Sequence, residues 1–359
     1  MGKGYMATLA IGKNSTFQKL ICMRASKVII PNDTTLRYYF YFMQERMDMF
    51  WRKCEGMHHL TDDPILREYK FTNVYRACDR VSQYLISQVI YKDVEQYTPE
   101  DTILRILVFK IFNKPSTWEN ILQHYGDIRY KDFDVKKLSD ILTKQRQTEA
   151  IFNNAYIMTG SCYRYQSLRY KHERWLQMVA DEFVSGRVLD AILRSKSLEE
   201  IFNRLSNCSF IGGFLAYQYA IDFNYSPYLN FSENSFVKAG IGAIRGITKC
   251  FKTHGNSYED AIRYIQDNME VLRKRYGYTH FRPLPSHEPT LIDLQNCFCE
   301  TDKYLRAKMP ELLVGNVRIK QHYRETPTSI DYAFPPKWKI KAKLHSVCTQ
   351  KHIKELMLF

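Results

Sequence analysis

Two adjacent carboxylates, Asp62 and Asp63, stand directly before Pro64, and the chain soon reads Lys70-Phe71-Thr72-Asn73-Val74-Tyr75-Arg76. Read as a helix from Thr72 to Tyr91, this stretch puts Val74, Cys78, Val81 and Leu85 on an apolar stripe. Asn73, Arg76, Arg80, Gln83 and Ser87 then share the flanking face. An amide and two guanidiniums on one face can hold a phosphate and a base edge together. The same face also reads as a solvated surface with Asp62 and Asp79 as ion-pair partners. A second polar trio, Asn296, Glu300 and Lys303, recurs at helical spacing beside the stripe Leu291, Leu294, Phe298 and Leu305. It reads either as a pocket wall or as a surface ion pair of about 0.3 kcal/mol.

Glycines supply a different chemistry. From Leu198 to Asp222 the pattern is a short helix, a small-residue turn at Gly212-Gly213, and a second helix. That is the layout of a helix-hairpin-helix element, whose turn aims backbone N–H groups at a DNA phosphate. Ile211, Gly212 and Ala216 agree with its usual wording, whereas Phe210 stands where the first glycine is expected. A plain αα-hairpin is the competing reading. Gly240, Gly242, Arg245 and Gly246 form a second glycine-rich stretch leading into a helix, a candidate phosphate cradle. No strand is expected before it, which disfavours a dinucleotide fold or a P-loop.

Positioning these groups falls to helices. Thr34 or Thr35 opens one that runs to about Cys54, and Thr98-Pro99-Glu100-Asp101 is a capped start for another. Further helices are expected at about 116–126, 133–152, 167–185, 187–195, 198–205, 213–222, 257–275 and 289–308. Period-2 alternation is confined to short pieces. The reading is mainly α: an N-terminal arm over 1–33, a helical domain over 34–340 with lobes at about 34–195 and 196–310, and a tail over 341–359.

Composition narrows the class. The 359 residues carry 52 Lys+Arg against 38 Asp+Glu, a net charge of +14. Such an excess speeds encounter with polyanions. The 26 Tyr and 21 Phe are numerous, and many Tyr adjoin cations, as in Tyr75-Arg76, Tyr163-Arg164, Arg169-Tyr170-Lys171 and Arg275-Tyr276. These mixtures suit phosphate contact with base stacking, or the wet rim of a helical core. Nine scattered cysteines with no CxxC pair support neither a metal site nor a disulfide framework. No 18-residue apolar run suggests a membrane span. The expectation is a cytoplasmic protein with no cofactor and no membrane partner.

Taken together, RYYFYFMQER (37–46), TDDPIL (61–66), YKFTNVYRACDRVSQYLI (69–86), GGFLAYQYAIDFNY (212–225), FVKAGIGAIRGITKCF (236–251), DLQNCFCETDKY (293–304) and FPPKW (334–338) carry a resemblance. They resemble the helical domain of phage thymine-hypermodification systems. That domain accompanies 5-hydroxymethyluracil DNA kinases and the alpha-glutamyl/putrescinyl-thymine pyrophosphorylases, or amino acid:DNA transferases. The resemblance covers about 35–340. His58-His59-Leu60 and Ile241 depart from it, where Pro-Trp and Pro are expected.

The resemblance implies a fold related to helix-hairpin-helix DNA glycosylases, with DNA carrying modified pyrimidines as partner. The target base would leave the stack. Gly212, Gly213, Gly240, Gly242, Arg245 and Gly246 would clamp phosphates, and Tyr41, Arg46, Asp62, Asn73, Arg76, Asn296, Glu300 and Lys303 would line the base pocket. Asp222 is the first expected catalytic carboxylate and Asp63 the second. The leading expectation is a DNA glycosylase excising the modified base, in anti-phage defence. The first alternative is an amino acid:DNA transferase that displaces pyrophosphate from a 5-(pyrophosphoryloxymethyl)uracil. The second is a non-catalytic nucleic-acid-binding module.

Overall fold

The computed structural model describes residues 27–154, 159–312, 321–323 and 329–346. Most of the expected N-terminal arm and of the C-terminal tail lies outside these residues. The protein is mainly helical. Its described helices are α1 (Asp33–Cys54), α2 (Pro64–Glu68), α3 (Arg80–Tyr84), α4 (Pro99–Phe112), α5 (Pro115–His124), α6 (Val135–Gln145) and α7 (Lys171–Met178). They continue as α8 (Val188–Leu193), α9 (Leu198–Ser206), α10 (Gly213–Asn224), α11 (Ile241–Cys250), α12 (Tyr258–Asp267), α13 (Met269–Tyr276) and α14 (Leu291–Lys308). Two short antiparallel pairs complete the fold, β1 (Ile29–Pro31) with β2 (Phe251–His254) and β3 (Ile330–Tyr332) with β4 (Leu344–Ser346).

Local chemistry explains where helices start. Thr98 Oγ1 accepts from the Asp101 N–H while Asp101 Oδ2 accepts from the Thr98 N–H, both at 3.1 Å, and Pro99 fills the first turn. Reciprocal caps of this kind satisfy donors that a helix start leaves orphaned. α4 is buried nearly all round, including Arg105 and Lys110 within an otherwise apolar run. A helix buried on every side lies at the centre of a fold.

α14 is the second hub. α1, α11 and α12 pack around it, and α10 joins α4 to α9. The seat of α1 on α11 and α14 crosses the boundary between the expected lobes 34–195 and 196–310. α11 approaches α14 most closely, because Gly246 lies against the Phe298 carbonyl and Gly242 against Cys299.

The single helix expected over 72–91 is not formed. Residues 70–75 are irregular, Arg76–Cys78 is one 3-10 turn, and α3 runs into a wide π-helical turn at Leu85–Ile90. Side chains outcompete the helix ladder here. Asp79 accepts the Asn73 N–H at 2.9 Å, and Asn73 Nδ2 donates to the Cys78 carbonyl at 2.8 Å. The shared face of Asn73 and Arg76 with Arg80, Gln83 and Ser87 therefore does not exist. The last three instead help line a cavity of about 760 Å³ beside β3.

Candidate active site

Four of the sequence segments singled out above meet at a buried polar centre. Gln218 and Asp222 lie four residues apart on α10 and so share a face. The Arg76 guanidinium donates to Asp222 Oδ1 at 2.6 Å and Oδ2 at 3.0 Å, and its Nε donates to Gln218 at 2.8 Å. Lys110, from α4, sits 3.4 Å from Asp222 Oδ2 and donates to Asn113 at 2.9 Å. Asp222 is 0 % exposed. Burial alone would raise its carboxyl, but the Arg76 and Lys110 charges outweigh it and hold Asp222 below its ordinary value. Burial brings Lys110 down to about 8.

A second pair of carboxylates adjoins this triad. Asp293 Oδ1 accepts the Arg76 backbone N–H at 2.8 Å. The Thr290 hydroxyl lies 3.2 Å from both Asp293 Oδ2 and Glu233 Oε2. One hydroxyl hydrogen serves only one of these oxygens, so a proton on either carboxyl completes the chain. Burial, reinforced by Asp293, pushes Glu233 up to about 7. Burial likewise raises Asp293 to about 6.

The Phe334-Pro335-Pro336-Lys337-Trp338 segment closes this side. Trp338 Nε1 donates to Glu233 Oε1 at 2.8 Å, and His287 stacks on the Trp338 ring at 3.8 Å. Lys337 donates to the carbonyls of Asn224, Ser226 and Leu229 just beyond the α10 C-terminus. A cation there completes carbonyls the helix leaves unpaired.

Sequence reasoning missed Lys110, Gln218, Glu233, Thr290 and Asp293 as members of this centre. One signal was available, the lone Lys110 in Ile-Leu-Val-Phe-Lys-Ile-Phe. Nothing in spacing points to Glu233, which lies outside the described helices and strands.

The expected pocket residues have other partners. Asp63 caps α2, its Oδ1 accepting from Ile65 and Leu66, and its Oδ2 accepts the Tyr41 and Tyr304 hydroxyls at 2.7 Å each. Four donors leave Asp63 no free lone pair, and despite partial burial they hold it ionised below its usual value. It is thus a poor base. Arg46 Nε donates to the Thr72 carbonyl at 3.1 Å, and Glu300 accepts the Thr72 N–H at 3.0 Å. Lys303 bridges Glu300 and the Lys70 carbonyl. Asn296 is half-buried beside them on α14. These groups pin the 70–79 segment rather than open a pocket. Asp62 is fully exposed beside His59. Arg76 has its guanidinium bound to Asp222 and is not free to hold a pyrophosphate in this conformation.

The glycines divide in two. Gly212 and Gly240 are the N-caps of α10 and α11, and the Phe214 ring lies against Gly240, so the two helix starts are neighbours. Gly212 and Gly213 are exposed, and Arg245 is half-exposed on α11. Phe210 takes φ of +66°, the conformation a glycine would favour at its place in the turn. Stacking on Trp175 at 5.1 Å and packing on Tyr165 at 5.6 Å hold it there. The expectation for Gly242 and Gly246 is corrected. They serve the α11–α14 contact, and a Cβ on Gly246 would fall 2.1 Å from the Phe298 carbonyl oxygen.

With this geometry in hand, comparison with known proteins decides the family. The model of the "5-hmdU DNA kinase, helical domain" family matches residues 33–313. The chain belongs to that family. Among curated proteins it is similar to the 5-hmdU DNA kinase of Bacillus phage SP10, 24% identical over 285 residues. Those residues are 74% of this chain and 44% of the relative, so the chain spans less than half of the relative's length. No solved structure matches.

These matches overturn the leading expectation. Family and relative are both described by 5-hmdU DNA and its kinase, not by cleavage of an N-glycosidic bond, so the glycosylase reading is withdrawn. Among the described residues, no helix is long and apolar enough to cross a membrane.

Proposed function

We propose that this family member acts in DNA hypermodification, as an amino acid:DNA transferase at a 5-substituted uracil. The match of residues 33–313 to a domain named for 5-hmdU DNA carries the reading. The substrate is DNA bearing 5-(pyrophosphoryloxymethyl)uracil, and the second substrate is an amine.

In the reaction the amine nitrogen bonds to the exocyclic 5-methylene carbon. The carbon–oxygen bond to pyrophosphate breaks, pyrophosphate leaves with the electron pair, and the nitrogen gives up a proton. The base must be extruded to be reached, which costs a few kcal/mol. A proton acceptor works best with a pKa near the working pH. Glu233, at about 7 beside Asp293 and Thr290, suits this better than Asp222, which two cations hold ionised. The neighbouring N-termini of α10 and α11, begun by Gly212 and Gly240, offer N–H groups for DNA phosphate.

The test incubates the chain with such DNA and single amines, then digests the DNA and weighs the nucleosides. The reading expects an amine-dependent mass gain on the modified uridine. An ATP-dependent phosphate gain on 5-hydroxymethyluracil, with no amine incorporated, would replace it with phosphoryl transfer.

A further inference from the structure

Arg169-Tyr170-Lys171, a cation–aromatic run in the sequence, lies far from the Asp222 centre in residue terms yet is built into a site of its own. The α6 C-terminus and the α7 N-terminus enclose a groove of about 490 Å³, lined in part by Arg146, Phe152, Tyr170 and Lys171. Its planar groups are stacked. The Arg146 guanidinium lies 4.0 Å from the Tyr170 ring, which lies parallel to His172 at 5.6 Å. Arg169 lies 5.0 Å from the same ring, and the Lys171 ammonium lies 4.0 Å from Phe152.

The charges here are not balanced. Between residues 144 and 174 the sequence carries Lys144, Arg146, Arg169, Lys171 and Arg174, besides an Arg164 that pairs with Asp181 and Glu182, against only Glu149 and Glu173. Both carboxylates are engaged by other donors, although Glu149 also lines the groove. Glu149 accepts from Lys114 and Gln145, and Glu173 caps α7 through the Tyr170 N–H. Among the described residues, Arg146, Arg169 and Lys171 have no carboxylate within ion-pair distance. A cluster of cations without such partners presents a field to an outside anion. A guanidinium stacked on Tyr170 also offers a flat cationic face to a nucleobase.

We infer that this groove binds a single DNA strand, its phosphates between Arg146, Arg169 and Lys171 and a base against the Arg146–Tyr170 stack. The groove connects to the buried centre through α4. Phe112, two residues beyond Lys110, packs on Phe152 at 5.2 Å, and its carbonyl accepts the Asn153 N–H at 2.8 Å. A strand seated here holds the DNA beside the centre without touching it. The inference rests on the reading that the chain engages DNA.

The experiment titrates fluorescein-labelled oligodeoxythymidylate with the full chain at several salt concentrations. An Arg146→Ala/Lys171→Ala double variant should bind about tenfold or more weakly. Its plot of log affinity against log salt should be shallower by about 1.4, since each phosphate contact on a single strand contributes about 0.7. Tyr170→Ala should lose affinity with an unchanged slope, because stacking does not release counterions. Thermal midpoints of the variants show that each remains folded, and thymidine 5′-monophosphate should compete poorly. Variants that bind with wild-type affinity and slope overturn the groove alone. Wild-type protein that binds no DNA overturns the proposed function with it. Equal weakening toward poly-glutamate, with Tyr170→Ala silent, assigns the groove to an acidic protein instead.

Discussion

At the scale of single residues, the buried charges have the largest consequences. Asp222 accepts two hydrogen bonds from Arg76 and faces Lys110, all three out of water. Removing one member of such a group strands the rest. Asp222→Asn should therefore cost about 3–5 kcal/mol in denaturant unfolding. A loss below about 1 kcal/mol would mean that the triad is solvated. Glu233 behaves oppositely. Its carboxyl is raised above its unfolded value, so its stabilising contribution is complete below about 4.5 and disappears as pH rises through about 7. Glu233→Gln lacks that penalty. The variant's melting temperature, relative to wild type, should rise between pH 5 and pH 8.5, and a difference flat across that range contradicts the assignment. These residues were only partly legible. Asp222 could be singled out from the glycine turn before it, but its ion partners come from elements 146 and 112 residues away in the chain. Spacing carries no information over such separations.

At the scale of elements, α4 and α14 were readable because their signals are local. Thr98 and Asp101 cap one, Thr290 and Asp293 the other. The segment after Lys70 was misread because its apolar stripe is real while its backbone partners are not helical. Arg46 takes the Thr72 carbonyl and Asp293 the Arg76 N–H, the two groups that would pair in the first turn of a helix begun at Thr72. Gly242 and Gly246 show the converse error. Glycine spacing reads alike whether it admits a phosphate or a neighbouring helix, and only the partner distinguishes the two. Gly246→Ala, with its Cβ driven into the Phe298 carbonyl, should cost at least about 1–3 kcal/mol. Gly212→Ala meets nothing within 4 Å and should change stability by less than about 0.5 kcal/mol. Equal losses at the two positions would remove the distinction between packing and surface glycines.

For the molecule as a whole, the mainly helical class followed from periodicity. The chemistry did not, because motif wording identifies a family more readily than a reaction. The wording pointed to thymine hypermodification, the family match bears that resemblance out, and the leading choice of base excision was wrong. Segments from 72–80, 217–225, 290–296 and 334–338 converge on one polar centre, and a cationic groove adjoins the C-terminal end of α4 next to it. The measurement that bears most directly on the proposed transfer is stoichiometric. DNA containing 5-(pyrophosphoryloxymethyl)uracil is incubated with the chain and an isotopically labelled amine, and released pyrophosphate is counted against label incorporated. The proposed transfer predicts one pyrophosphate per amine, with both reduced together in Glu233→Gln and the wild-type rise in rate through about pH 7 lost. Pyrophosphate released without label, or free base released from the DNA, would contradict it.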